Sequence, residues 1–375
     1  MKKLLPLLVI IPVVLGFKGS GFAYPFTFTK IAETKGATGS PVGEFSGSPS
    51  INNSGMVAFV AQEGIFVGSG GALTSIAPNS PSSYTAGTVD INSAGEVAFQ
   101  RNYSGVFKGS GGPVTTIVDT SGSFNNFGGH PTINDAGVVA FSGYGANRGI
   151  FTGNGGGLTT IVDTNGPFWG VAGPSINSSG LVTFKGFLDE GGEGIYTGSG
   201  GTLTTIASTI GPFFTDLYGS PDINDHGIVA FSAMLDGGLQ GIFTGDGSTV
   251  TTIADTFWAI DSNPSINNSG MVAFKARPEV GQEAGIYIGP DPIFDKVIGT
   301  GDLLDGSTVT SILSFHDGLN DQGQIAFSAS LADGRDIIVR ADPGVAPVPE
   351  PATILLVGIG LGGIYGLRRR RHRST

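Results

Sequence analysis

The chain has no cysteine among its 375 residues, which excludes disulfides, thiolate metal sites and a cysteine nucleophile. Charge is also scarce. Only 13% of residues are Asp, Glu, Lys or Arg, and one of the four histidines, His372, sits almost at the C-terminus. The sequence contains no His-x-x-x-His pair, no Asp-x-Asp-x-Asp-Gly loop and no Gly-x-Ser-x-Gly turn. No metal site, cofactor site or serine nucleophile is therefore expected. Its many Gly-Ser-Gly-Gly stretches lead into Thr- and Ile-rich runs rather than helices, so they read as hairpin turns and not phosphate loops. Glycine and phenylalanine are abundant, with 64 and 25 residues, in a chain that is 39% hydrophobic. So much glycine usually signals low complexity, but this amount of apolar surface can build a core.

The two ends read as targeting segments. Lys2 and Lys3 precede an apolar stretch from Leu4 to Leu15, a signal-peptide length rather than a membrane-spanning one. Gly21-Phe22-Ala23 places small residues where a signal peptidase reads, so residues 1–23 are expected to be a signal peptide cut between Ala23 and Tyr24. At the other end Val348-Pro349-Glu350-Pro351 leads into an apolar run from Ala352 to Leu367, then Arg368, Arg369, Arg370, Arg371 and Arg373. Such a run makes a helix of about 24 Å, slightly short for a ~30 Å hydrocarbon core. It reads as a transmembrane helix over 352–367 with a basic cytoplasmic tail over 368–375.

This tripartite tail resembles the PEP-CTERM sorting signal of bacterial envelope proteins. The resemblance is confined to the residues from Val348 onward. It implies a partner, the membrane protease called exosortase, which reads Pro-Glu-Pro and removes the helix and basic tail. It also implies an exported protein, anchored in the membrane and then displayed at the surface or outside, in a bacterium that makes exopolysaccharide.

Between these ends the charge is one-sided. Of 19 basic and 30 acidic residues, all but Lys2, Lys3, Lys18, five tail arginines and Glu350 lie in residues 24–347, leaving 11 and 29 and a formal charge of −18. A nucleic-acid partner requires the opposite sign, as does docking on an anionic lipid surface.

Self-comparison is more informative still. A unit Ile/Leu-Asn-x-x-Gly-x-x-x-Phe begins at Ile51, Ile91, Ile133, Ile176, Ile223, Ile266 and Leu319, and ends at Phe59, Phe99, Phe141, Phe184, Phe231, Phe274 and Phe327. The spacing of 40 to 53 residues suits a propeller blade and is too long and uneven for one coil of a β-helix. In the first repeat short strands are expected at Ser48–Ile51, Met56–Val60, Gly64–Val67 and Ala72–Ile76. Asn and Gly supply the turns, and Val, Ile, Phe and Thr favour the pleated surface between them. The seventh repeat stops after Asp336 to Arg340, one strand short, and Phe26 to Thr34 offers the missing strand. The fold expected is all-β: a seven-bladed β-propeller over residues 24–342, closed by the N-terminal strand, with a Pro-rich linker at 343–351. The repeat is similar to TolB-type blades, although Asn-x-x-Gly stands where that family has Ser-Pro-Asp-Gly.

Fold alone does not give function. Asp90 and Asp222 precede the repeated Ile in two blades and are the only candidates for a carboxylate pair across the axial opening, the arrangement a carbohydrate-active hydrolase or lyase would use. Asp317, Asn320 and Asp321 are a candidate calcium cluster, though turn stabilisation by those side chains is the simpler role. Recognition is expected instead on the face carrying the irregular loops. Those loops hold Tyr84, Tyr103, Phe124, Phe127, Tyr144, Trp169, Phe187, Phe213, Phe214, Tyr218, Phe257 and Trp258. Trp169, Trp258, Tyr103 and Tyr218 are the ligand-binding candidates, and the phenylalanines are expected to fill gaps between blades. The function expected is a non-catalytic propeller scaffold of the envelope or extracellular matrix, with exopolysaccharide or another surface protein as partner. The alternatives are the hydrolase or lyase and a purely structural spacer.

Overall fold

The structure, a computed structural model, describes residues 26–34, 42–78, 88–101, 104–128, 130–146, 148–261, 263–279, 284–313 and 315–344. The expected signal peptide, the sorting motif and the C-terminal helix lie outside the described residues.

Seven antiparallel sheets form seven blades. In blade 1 the strands β2 (Phe45–Ile51), β3 (Val57–Ala61), β4 (Gly64–Gly68) and β5 (Thr74–Pro78) pair in chain order. The turn after the inner strand is Asn-x-x-Gly in every blade, and its Gly has φ between 72° and 83°, a region that residues with a Cβ rarely enter. Val57 to Ala61 are all buried while Thr74 and Ser75 are exposed, so the second strand is core and the fourth is rim.

Blade 7 closes the ring as expected. Its sheet runs from Leu303–Leu304 through Ser307–Ile312, Ile325–Leu331 and Asp336–Pro343 to β1 (Phe26–Glu33), the first strand of the chain. Phe26 lies opposite Pro343, and Glu33 opposite Ile337. Ile31 and Ala32 pack with Ile338 of blade 7 and with Ile51 and Phe59 of blade 1. β1 thus covers the edge of Asp336–Pro343 and stands as the outer strand of blade 7, as the fourth strand does in the other blades. Around this seam Arg335 pairs with Glu33, Asp305 and Asp333, and Lys30 with Glu33 and Asp305. These groups keep part of their exposure, and solvent screens such pairs. Arg335→Ala is expected to cost about 1 kcal/mol or less, measured by urea denaturation, and the cost should shrink further in high salt.

In blades 1, 4 and 5 the inner strands are longer than expected. They run Phe45–Ile51, Phe168–Ile176 and Phe214–Ile223, because the register shifts midway, between Ser46 and Ser50, Ala172 and Ser175, and Tyr218 and Asp222. Each strand bends there and pairs again further out, so residues that read as loop are sheet. Phenylalanines at that outer end pack inside their own blade. Phe168 meets Phe184 and Tyr196 edge-on, with ring centroids 6.2 and 5.0 Å apart. Phe214 does the same on Phe231 and Phe243, and Phe257 packs on Phe274 and Tyr287. Phe127 is buried as well. These rings also share hydrophobic clusters with residues of the preceding blade, the gap-filling role expected of the phenylalanines.

Candidate functional site

The repeated Asn forms the floor of the axial channel. All seven are buried. Each Oδ1 accepts the N–H groups two and four residues later, as in His226 N and Ile228 N to Asn224 at 3.1 and 3.0 Å. Each Nδ2 donates to the main-chain carbonyl of the equivalent Asn in the next blade at 2.9 to 3.2 Å. The last bond runs from Asn320 to Asn52, so the circle is complete. Turn residues were expected here, and the bond between blades is what that expectation missed. The signal was an Asn in all seven repeats where Asp or Gly would serve a turn equally well. The next position adds a partial outer circle: Ser93 N donates to Asp135, Ser178 N to Asp225, Asp225 N to Asn268, Asn268 N to Asp321 and Asp321 N to Asn53.

Above this floor is a chamber of about 170 Å³. Asp90, Asp222 and Asp317 line its interior, Asp135, Asp225 and Asp321 its outer ring, and no Lys or Arg among the described residues lines it. Asp90 binds three blades together. Its Oδ1 accepts from Ser50 Oγ and Ile91 N, and its Oδ2 from Ile133 N, each at 2.8 Å. Asp222 repeats the device, accepting from Ser175 Oγ and Ile223 N at 2.8 Å and from Ile266 N at 2.9 Å. Burial, with the Asp317 charge second, raises Asp90 to about 7 and Asp222 to about 6.

Blade 7 breaks the pattern. A Cβ at Gly318 would lie 2.6 Å from the Ala326 carbonyl, so the channel position carries no side chain, and Asp317 beside it adopts φ 51°. The strained residue puts a third carboxylate into the chamber. His316 is 3% exposed. Its Nδ1 lies 2.7 Å from Asp317 Oδ2 in a contact too bent for a good hydrogen bond, and its Nε2 has no partner among the described residues. Burial opposes the charged form of His316, but Asp317, Asp222 and Asp90 together raise its pKa. The His316 ring stands 4.6 Å from that of His130, which belongs to blade 3. Two rings from non-adjacent blades can meet only across the interior. Thr88 Oγ1 contacts His130 Nδ1, and burial, then His316, lowers His130 to about 3.

The opposite face carries the connections between the second and third strands. There Trp169 and Trp258 are 57% and 61% exposed. Each follows the buried edge-packing Phe of its blade, Phe168 or Phe257, so they occupy equivalent positions in blades 4 and 6. Trp169 lies against Phe187 at 5.1 Å, and Lys185 Nζ sits 5.0 Å from the Phe187 ring. Trp258 lines a groove of about 520 Å³ with Leu239, Met234, Gln240, Asp255 and Glu279. Half-buried Tyr218 adjoins that groove, donating to Met234 Sδ at 3.8 Å and bonding Gln240.

The family of unknown function DUF7453 matches residues 29–355. The chain belongs to this family. The PEP-CTERM protein-sorting motif matches residues 347–371, which makes the DUF7453 chain an exported, envelope-targeted protein and an exosortase substrate. No curated protein matches it. Among solved structures it is similar to a puromycin hydrolase mutant complexed with PGG, at TM-score 0.54 and 14% identity over 84% of this chain and 57% of that one. It is also similar to a Mycobacterium tuberculosis puromycin-hydrolyzing peptidase, at TM-score 0.51 and 13% identity over 86% and 58%. This chain thus spans under three-fifths of those proteins, and the likeness shows the propeller fold.

Of the residues singled out in the sequence, Trp258 lines a groove of the DUF7453 propeller, Tyr218 touches that groove's Met234 and Gln240 without lining it, and Trp169 stands apart on blade 4. Tyr103, Ala23, Tyr24, Val348, Pro349, Glu350, Pro351, Arg368, Arg369, Arg370 and Arg371 lie outside the described residues. Asp90 and Asp222 do face the channel, but as rivets between blades. Asp317, Asn320 and Asp321 do not gather: they belong to the chamber, the Asn circle and the outer circle respectively. Among the described residues no group of three or more His, Asp or Glu is placed to hold a metal ion.

Proposed function

We propose that this DUF7453 protein is a non-catalytic propeller of the envelope or extracellular matrix that binds exopolysaccharide through its loop face. The observation that carries the reading is the pair of exposed tryptophans at equivalent positions of blades 4 and 6, flanking blade 5. An indole face stacks on the apolar face of a sugar ring, while Gln240, Asp255 and Glu279 around Trp258 offer partners to its hydroxyls. Two such platforms on one face suit a polymer of repeating units, because a second contact within reach of the first multiplies affinity. The rival reading, hydrolysis in the channel, would need Asp90 and Asp222 to exchange their bonds to neighbouring blades for bonds to substrate.

The test is co-sedimentation or array binding with purified exopolysaccharides. Trp258→Ala is expected to weaken binding at least tenfold, Trp169→Ala by several-fold, and the double variant to abolish it with an unchanged unfolding midpoint. Equal binding by the double variant would remove both residues from the site.

A further inference from the structure

The chain enters and leaves the propeller at one corner. Phe26 and Pro343 are paired on the outer strands of blade 7. Pro343 Cγ lies 3.6 Å from where a Cβ on Gly323 would stand, and Gly323 belongs to an Asn-x-x-Gly turn. Arg340 Nη1 donates to the carbonyl of Gly55, the glycine of the blade 1 turn, at 2.7 Å. Both chain ends therefore emerge on the Asn-turn face, opposite the loop face. The sorting motif matches from residue 347, and the expected membrane helix begins at Ala352, nine residues beyond Pro343. Nine residues span about 32 Å at most when fully extended.

We infer that the propeller, while tethered, holds its Asn-turn face toward the bilayer and its loop face away from the cell. The tether is too short for the domain to roll over, and the acidic residues around the chamber keep that face from adhering to anionic headgroups. Trp169 and Trp258 then point outward before processing as well as after it. This rests on the reading of residues 352–367 as a membrane helix and is independent of what the loop face binds.

The absence of cysteine permits a clean test with single-cysteine labels on the full chain in vesicles that contain acceptor-labelled lipid and no exosortase. Ala94→Cys lies in an exposed Asn-turn, and Gly237→Cys in an exposed connection of the loop face with open space around it. Energy transfer to the lipid is expected to be several-fold greater from position 94 than from position 237. Inserting about thirty Gly-Ser residues after Gly344 should bring the two values together, because such a linker behaves as a flexible coil. Equal or reversed transfer in the chain of native length overturns the orientation. A chain that fails to stay with the vesicles overturns the anchor, and the orientation with it.

Discussion

Asn224→Ala is expected to lower the stability of the propeller by about 3–5 kcal/mol, read as a shift in the urea midpoint. The substitution removes the acceptor for His226 N and Ile228 N and the donor to the Asn267 carbonyl. The bond to the Asn267 carbonyl is buried and the two turn bonds are part-buried, so water replaces them only in part. A net hydrogen bond is worth about 1 kcal/mol, and a buried group left without a partner costs about 1–3 more. Asn53→Ala, one position from the same circle but exposed, should cost about 1 kcal/mol or less by the same scale. Asn224→Asp separates the two jobs of the side chain. It keeps the turn acceptor but sets a carboxylate against the Asn267 carbonyl, so it should lose comparable stability at neutral pH and recover part of it in acid. If Asn224→Ala and Asn53→Ala prove equal, the circle is not a structural element.

The blade count and the closure were legible because both follow from recurrence. A unit with fixed Asn, Gly and Phe marks the same place in every sheet, and the one repeat lacking a strand has its complement at Phe26 to Thr34. The inner-strand bulges were not legible. Sequence near Gly173 or Gly219 looks like a break in pairing, and only the neighbouring strand shows that pairing resumes at Phe168 or Phe214. That is why Phe214 and Phe257 read as loop aromatics when they are core. The Asn circle stayed hidden for a different reason: a local role as turn former accounts for each Asn singly, and only its recurrence in all seven repeats pointed beyond the turn. Asp317 carries no pattern at all. It stands out of phase with the repeat, and its chamber position depends on a positive φ and on the lack of a Cβ at Gly318. The tryptophans were legible as candidates because two rings of that size in so glycine-rich a chain have few places to hide.

Stability should rise as pH falls from 8 through 6 and be greatest near pH 4, the change being on the order of a few kcal/mol, since a tenfold difference in proton affinity between the folded and unfolded chain is worth about 1.4 kcal/mol. Asp90 and Asp222 have folded values above their unfolded ones, about 7 and about 6 against 3.8. The folded state thus holds their protons more tightly, and the penalty of ionising them is present at pH 8 and relieved as pH falls. His316 acts in the same direction: its raised value gives stability that is complete below 6.5 and lost as pH rises through the folded value. His130 opposes them, because a folded value of about 3 makes the folded state resist a proton that the unfolded chain accepts below 6.5. Further down, Glu33 and Asp305, held low by Arg335 and Lys30, lose their pairing energy as they protonate. Thermal midpoints should therefore rise in the order pH 8, 6 and 4, because the two aspartates outweigh His130, and fall again below pH 4. Asp317→Asn isolates the cause, since its charge raises both aspartates and His316. The variant should flatten the curve between pH 6 and 8 while leaving the acid limb unchanged. A curve of unaltered slope above pH 6 would mean that the three carboxylates do not act on one another through the chamber.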